Sequence, residues 1–168
     1  NIHLHKQIFI GAGLGGGSSD AAFTLKVLNN IFRLKLSDTE LERYALSIGT
    51  DCPFFIDNTP KLVNGKGEKM NKLDLDLSNY EIRFRDTKIH ISTKQAYNIV
   101  DPTKSINNLV GNIIKLDIDE WKHYLKNDFE DAIFKKYPEL KKIKQQFYDE
   151  GAIFSSMSGS GSVIFGIF

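Results

Sequence analysis

The stretch Gly11-Ala12-Gly13-Leu14-Gly15-Gly16-Gly17-Ser18-Ser19-Asp20-Ala21-Ala22 decides how this chain is read. Five of its first seven residues are glycine, two hydroxyls and an acid follow, and an apolar-periodic helix then begins. Glycine lets the backbone take positive φ and lie against a ligand without interference from a Cβ. The start of a helix leaves unpaired N–H groups and a partial positive charge aimed at whatever the loop encloses. A glycine loop feeding a helix N-terminus is a phosphate-binding arrangement.

Other readings of the loop fail on their context. A Walker P-loop needs Lys and then Ser or Thr after the last glycine of G-x-x-x-x-G, and here Gly17 follows Gly16. The dinucleotide fingerprint G-x-G-x-x-G is matched in letter by Gly11, Gly13 and Gly16, but it requires a helix and then a second strand ending in an acid. The helix expected from about Asp20 to Phe32 runs into another helix, whose cap region accounts for Asp38 and Glu40. A protein-kinase loop would need His-Arg-Asp and Asp-Phe-Gly downstream, and neither tripeptide occurs. A plain surface turn accounts poorly for so many glycines between an apolar strand and an amphipathic helix.

The chain's 168 residues suffice for one ordinary domain or two small ones, and 41% hydrophobic residues can supply a core. The formal charge is +1, from 22 basic and 21 acidic residues, so nothing draws the chain globally to nucleic acid or to a membrane. No apolar run has the length of a membrane span, and the chain opens on no signal peptide. The single cysteine, Cys52, forms no internal disulfide and fits a reducing, cytoplasmic setting. With no base beside it, Cys52 reads as a packed thiol. His3 and His5 share a face of an expected strand but have no third ligand in view, so no metal site is expected there.

Along the chain, residues 2–10 alternate as a strand would and deliver the chain to the loop. Ala21, Ala22, Leu25, Leu28, Ile31 and Phe32 follow a helical period. Ser37 and Glu40 form a capping box for a second helix, which Gly49 ends. Pro53-Phe54-Phe55-Ile56 reads as a buried strand, Leu62-Val63 as an extended piece, and residues 65–68 as a turn. A boundary near Leu77 to Tyr80 divides the chain into 1–78 and 79–168. Beyond it, residues 81–84 and 88–91 look extended, and helices are expected at 93–99, 106–115, 119–125 and 129–136. Pro138 opens another helix, which Gly151 stops, before a hairpin of 152–157 and 162–168 around Ser158-Gly159-Ser160-Gly161. The pattern is α+β.

Several candidate residues carry two readings. Ser18 or Ser19 could hold phosphate or Mg²⁺, or cap the helix. Asp51 could accept a proton from a hydroxyl, or close a turn. Ser158-Gly159-Ser160-Gly161-Ser162 could approach a ligand, or be a tight hairpin. Asn127 and Asp128 read as caps of the following helix.

The loop resembles the phosphate-binding motif of the GHMP small-molecule kinases. Its triple glycine is similar to the branch of that family acting on a cytidine diphosphate-linked methylerythritol. Ile48-Gly49-Thr50-Asp51-Cys52-Pro53-Phe54-Phe55 is similar to the family's catalytic-aspartate motif. Ile91-Ser92-Thr93-Lys94-Gln95-Ala96-Tyr97 is similar to a segment near its substrate pocket. Asn127-Asp128-Phe129-Glu130 and the Ser-Gly segment 156–162 are similar to its C-terminal motifs.

The resemblance implies a two-domain GHMP kinase fold, a ribosomal protein S5 domain 2-like unit followed by a ferredoxin-like one, with ligands in the cleft between them. It implies ATP with Mg²⁺ as cofactors and phosphorylation of the 2-hydroxyl of the cytidine-linked methylerythritol in isoprenoid precursor synthesis. Gly11, Gly13, Leu14, Gly15, Gly16, Gly17, Ser18 and Ser19 would then hold ATP phosphates, with Lys6 near the nucleotide. Asp51 would be the catalytic base, paired with a lysine. Thr93, Gly159 and Gly161 would meet the substrate, although Thr93 also reads as a helix cap and Lys6 as a solvated strand residue.

The family's amino-terminal strand with its catalytic lysine, and its Asp-Gly-Tyr-His segment, have no counterpart in these residues. Family members also continue past the final strand, so the chain reads as a fragment that lacks the N-terminal strand region and the extreme C-terminus, with little activity of its own. Other GHMP kinases, acting on mevalonate, homoserine or a sugar, and a non-catalytic nucleotide-binding module are the alternatives.

Overall fold

The computed structural model describes residues 1–65, 67, 69–100 and 110–168. The chain divides into two compact units, one of Gly15–Leu75 and one of Asn1–Leu14 with Asp76–Phe168. The division expected at 78/79 thus lies close to one observed edge. It differs at the amino end, where residues 1–14 group with the later part of the chain. The reason is hydrogen bonding: the carbonyls of Ala12 and Gly13 accept from Val163 N–H and Ser158 Oγ.

The unit Gly15–Leu75 holds α1 (Gly16–Ile31), α2 (Asp38–Ile48), α3 (Phe54–Asp57) and the antiparallel pair β1 (Lys61–Asn64) and β2 (Lys69–Lys72). Ala22, Leu41, Ala45, Cys52 and Ile56 form its core, with Ala21, Leu25, Leu36 and Phe55 packed around them. The capping box is present: Glu40 N–H donates to Ser37 Oγ, and Ser37 N–H donates to Glu40 Oε2 at 2.8 Å. The Ser37 N–H and, after it, the Ser37 hydroxyl donate to the Glu40 carboxylate and hold it below its ordinary range. Cys52 is a free, buried thiol, as its surroundings in sequence suggested.

The expected strand at 53–56 is instead the single helical turn α3. Pro53 sits at φ −58°, ψ −33°, and Phe55 and Ile56 N–H donate to the carbonyls of Cys52 and Pro53. A four-residue apolar run does not distinguish strand from buried helix, and a proline at its head is as compatible with the first turn of a helix as with an extended segment. Of the turn expected over 65–68, residues 66 and 68 lie outside the described residues. Gly65 and Gly67 take positive φ.

The second unit is built on a three-stranded antiparallel sheet in the order β3 (Ile82–Arg85), β5 (Ile164–Ile167), β4 (Phe154–Met157). Around it lie α4 (Thr93–Ile99), α5 (Val110–Ile113), a 3₁₀ turn (Ile118–Glu120), α6 (Trp121–Tyr124), α7 (Glu130–Lys136) and α8 (Pro138–Asp149). Ile91, Ala96, Ile133, Leu140, Phe147, Ala152, Met157 and Ile164 form its core. Pro138 stands in the first turn of α8, and Gly151, at φ 96°, follows its end. The helix packs on the sheet where Gly166 leaves room: a Cβ there would meet Phe147 Cδ1 at 2.6 Å. Of the helix expected at 106–115, the portion before 110 lies outside the described residues.

Two extended segments expected in this unit are not strands. Residues 2–10 alternate but form no ladder; Ile2 and Ile10 are 72% and 77% exposed. A strand exists only with a hydrogen-bonding neighbour, and alternation alone does not supply one. Residues 88–91 are irregular because side chains capture the backbone: Asp86 Oδ1 accepts from Lys88 N–H and Thr87 Oγ1 from Ile89 N–H. Among the described residues, no helix is long and apolar enough to cross a membrane.

Candidate functional site

The division between units falls inside the glycine loop, between Leu14 and Gly15. Each unit contributes its own candidate residues. Lys6, Gly11, Gly13, Leu14, Thr93, Gly159 and Gly161 belong to one; Gly15, Gly16, Gly17, Ser18, Ser19 and Asp51 belong to the other.

In the unit Gly15–Leu75, α1 opens four residues earlier than the apolar period indicates, so Gly16, Gly17, Ser18 and Ser19 form its first turn. Its N-cap, Gly15, is left-handed at φ 68° and no side chain caps it. Ser18 and Ser19 are therefore inside the helix and not at its cap. The backbone N–H groups of this turn carry the positive end of a sixteen-residue helix. Gly15 also packs tightly on α3, since a Cβ at Gly15 would sit 2.8 Å from Phe55 Cζ. Lys26 Nζ donates to the Ile56 carbonyl at 2.9 Å and ties α1 to α3 a second time.

Phe55 lies four residues beyond Asp51, so this packing joins the start of α1 to the segment that carries Asp51. Asp51 is exposed and occupies a turn between α2 and α3. Its carboxylate accepts from the neighbouring Thr50 hydroxyl at 3.4 Å. The turn is braced from outside, because a Cβ on Gly67 would come within 2.6 Å of the Thr50 carbonyl oxygen. An exposed carboxylate on a braced turn suits proton transfer to or from a bound hydroxyl.

In the other unit the early part of the loop lies on the turn between β4 and β5. Gly13, at φ 79°, has no room for a side chain: a Cβ would fall 2.1 Å from the Ser158 carbonyl oxygen and 3.1 Å from Gly161 N. Gly159 approaches from the other side, its Cβ position 3.0 Å from the Gly13 carbonyl oxygen. Ser158 Oγ donates to the Gly13 carbonyl at 2.9 Å, and Val163 N–H to that of Ala12 at 3.3 Å. In a trans peptide the carbonyl and the following N–H point to opposite sides. Fixing these two carbonyls on the hairpin turns the N–H groups of Gly13 and Leu14 away from it. Two successive amides presented on one side are suited to an anion.

Gly13, Gly159 and Gly161 thus come together. Thr93 stands two residues past Ile91, whose Cδ1 lies 3.7 Å from the Cβ position of Gly161. Thr93 is exposed in the first turn of α4, but it is not the cap. Ser92 is, and its hydroxyl accepts from Gln95 N–H. Lys6 is half-buried in the irregular amino segment. Among the described residues, no group of three or more His, Cys, Asp or Glu could hold a metal ion.

Sequence reasoning assigned Asn127 to helix capping and gave Glu130 no role of its own. Asn127 Oδ1 does accept from Phe129 N–H, but its Nδ2 donates to the carbonyls of Met157 and Gly159 at 2.7 and 2.8 Å. Glu130 is 3% exposed; Oε1 accepts from Met157 N–H and Ser156 Oγ, and Oε2 pairs with Lys144 at 2.6 Å. An acid inside an apolar helical period was the available signal.

Residues 1–58 match the GHMP kinases N terminal domain, and residues 109–168 match the GHMP kinases C terminal family. The chain belongs to the GHMP kinases. A 4-diphosphocytidyl-2-C-methyl-D-erythritol kinase of Azobacteroides pseudotrichonymphae is 50% identical over 167 residues, which are 99% of this chain and 62% of that protein. The enzyme of the same name from Cytophaga hutchinsonii is 49% identical over all of this chain and 62% of its own length. A crystal structure of 4-(cytidine 5'-diphospho)-2C-methyl-D-erythritol kinase matches with a TM-score of 0.80 at 30% identity, over 97% of this chain and 59% of that one. A homoserine kinase from Cytophaga hutchinsonii shares the fold, with a TM-score of 0.74 at 20% identity. This GHMP kinase chain spans about three fifths of the length of the curated relatives it matches.

Proposed function

We propose that the protein to which this chain belongs transfers the γ-phosphoryl group of ATP to the 2-hydroxyl of 4-diphosphocytidyl-2-C-methyl-D-erythritol, in isoprenoid precursor synthesis in the cytoplasm. The observation that carries the reading is the packing of Gly15 on Phe55, which binds the uncapped start of α1 to the segment bearing Asp51. Phosphoryl transfer is largely positioning and charge stabilisation, and the chain has a residue set for each. Residues Gly11 to Gly17 offer backbone N–H groups to the phosphates, with Ser18 and Ser19 adding hydroxyls. Lys6 lies toward the nucleotide. Asp51 takes the proton of the acceptor hydroxyl as the new P–O bond forms and the bond from the γ-phosphorus to the β–γ bridging oxygen breaks, releasing ADP. Thr93, Gly159 and Gly161 line the acceptor side.

The proposed division of the sequence is into an N-terminal part over 1–78 and a C-terminal part over 79–168, with the two family matches, 1–58 and 109–168, lying on either side of it. Mg²⁺ fits this donor set as an ion carried by the nucleotide. Such ions keep several waters and use one or two protein oxygens, and the Ser18 or Ser19 hydroxyl can provide one. Bound there, it would neutralise charge on the phosphate oxygens.

The names of the relatives support the acceptor, which is a small molecule. The test is ATP consumption by the full-length parent protein with that acceptor, beside its Asp51→Asn variant. A general base contributes about 10²–10⁴-fold, so the variant should lose that much of kcat. Undiminished turnover would move the base elsewhere. Turnover only with mevalonate, homoserine or a sugar would replace the acceptor, and ATP binding without turnover would favour a nucleotide-binding module.

A further inference from the structure

We propose that Ser158 and Asn127 are positioning residues for the nucleotide phosphates, acting through the Gly13 peptide; this rests on the kinase reading above. The Ser158 hydroxyl holds the Gly13 carbonyl at 2.9 Å, which sets the plane of the Gly13–Leu14 peptide and hence the direction of the Leu14 N–H. Without that bond a glycine at φ 79° has wide freedom to rotate the peptide.

Ser158 can do this only if its own turn is rigid, and that turn is held from three directions. Its carbonyl accepts from Gly161 N–H at 2.9 Å, and its N–H donates to the Val163 carbonyl at 2.9 Å. Asn127 Nδ2 bridges the carbonyls of Met157 and Gly159, one on each side of Ser158. Asn127 is itself fixed by Phe129 N–H at the start of α7. Behind it, the buried Glu130 carboxylate grips Met157 N–H and Ser156 Oγ and is paired with Lys144. A rigid path of hydrogen bonds therefore runs from α7 through Asn127 and Ser158 to the phosphate loop. Supporting residues of this kind hold a binding group to its productive geometry.

The test uses the full-length parent protein with Ser158→Ala, Ser158→Thr, Asn127→Ala and the Ser158→Ala/Asn127→Ala pair. Ser158→Ala deletes one half-buried hydroxyl and leaves the core intact. It should raise the KM for ATP about ten-fold, the upper range for one hydrogen bond, while the acceptor KM stays within two-fold. Ser158→Thr keeps the hydroxyl and should restore the ATP KM. Asn127→Ala should act in the same direction, and the pair should be less than additive, because both residues work through one turn. An unchanged ATP KM in Ser158→Ala, an equal rise in both KM values, or full additivity would overturn the proposal. If the unaltered parent consumes no ATP with any acceptor, the kinase reading falls and this proposal falls with it.

Discussion

Gly13 and Gly17 stand four residues apart in one glycine-rich stretch, and replacing each with alanine should have different effects on stability. At Gly13 the new methyl would lie 2.1 Å from the Ser158 carbonyl oxygen, 3.0 Å from its carbon and 3.1 Å from Gly161 N. All three are backbone atoms and cannot rotate aside. The φ of 79° adds about 1–2 kcal/mol for any residue with a Cβ. Separation of loop from hairpin would break the Ser158–Gly13 and Val163–Ala12 hydrogen bonds, each contributing about 1 kcal/mol. The expected loss is roughly 3–4 kcal/mol. At Gly17, apart from its chain neighbours and the backbone of its own helix, no atom of the described residues lies within 4 Å of the new methyl, and the residue is already helical. Alanine there should be neutral or stabilising by about 0.5 kcal/mol, through reduced freedom of the unfolded chain. Urea unfolding of the full-length parent and both variants would measure the difference. A Gly13→Ala variant as stable as the parent, or a Gly17→Ala variant as damaged as Gly13→Ala, would refute the packing argument.

Two further outcomes are expected. Asp57 is held at a pKa of about 2, against an ordinary 3.8, by Lys72 first, then Thr59 and Lys61. A carboxylate lowered by folding adds stability above its unfolded pKa, and that stability is lost as pH falls through the folded value. The urea midpoint of the parent should therefore fall between about pH 4 and pH 2 more steeply than that of Asp57→Asn; parallel profiles would count against it. Gly166→Ala should cost about 1–3 kcal/mol by forcing Phe147 off the sheet, and paired substitution with Phe147→Leu should recover part of it, read from thermal midpoints.

What could be read from the sequence was written in local chemistry. The Ser37–Glu40 box, Pro138 at the head of α8, Gly151 past its end and the final hairpin each act within a few residues, and each is present. Readings that needed a distant partner held only where one was present: residues 81–84 found it in β5, but two other segments did not. Residues 2–10 alternate without a ladder, and Pro53 to Ile56 became a helical turn. The glycine loop was legible as a motif and matched a family, yet the reason Gly13 is glycine lies 145 residues away at Ser158. Glu130 shows the same limit: its burial depends on Met157, Ser156 and Lys144 arriving from other elements.

That separation has a consequence for synthesis. The carbonyls of Ala12 and Gly13 are captured by residues 163 and 158, so the early half of the loop gains its shape only after those residues exist. Contacts this far apart close late and slowly. On the ribosome, the helices of Gly15–Leu75 can condense while the rest is still being made, because domains fold as units during translation. The nascent chain would carry an unset loop throughout. Its competence to grip a nucleotide would arise in one late step, once β5 has left the exit tunnel.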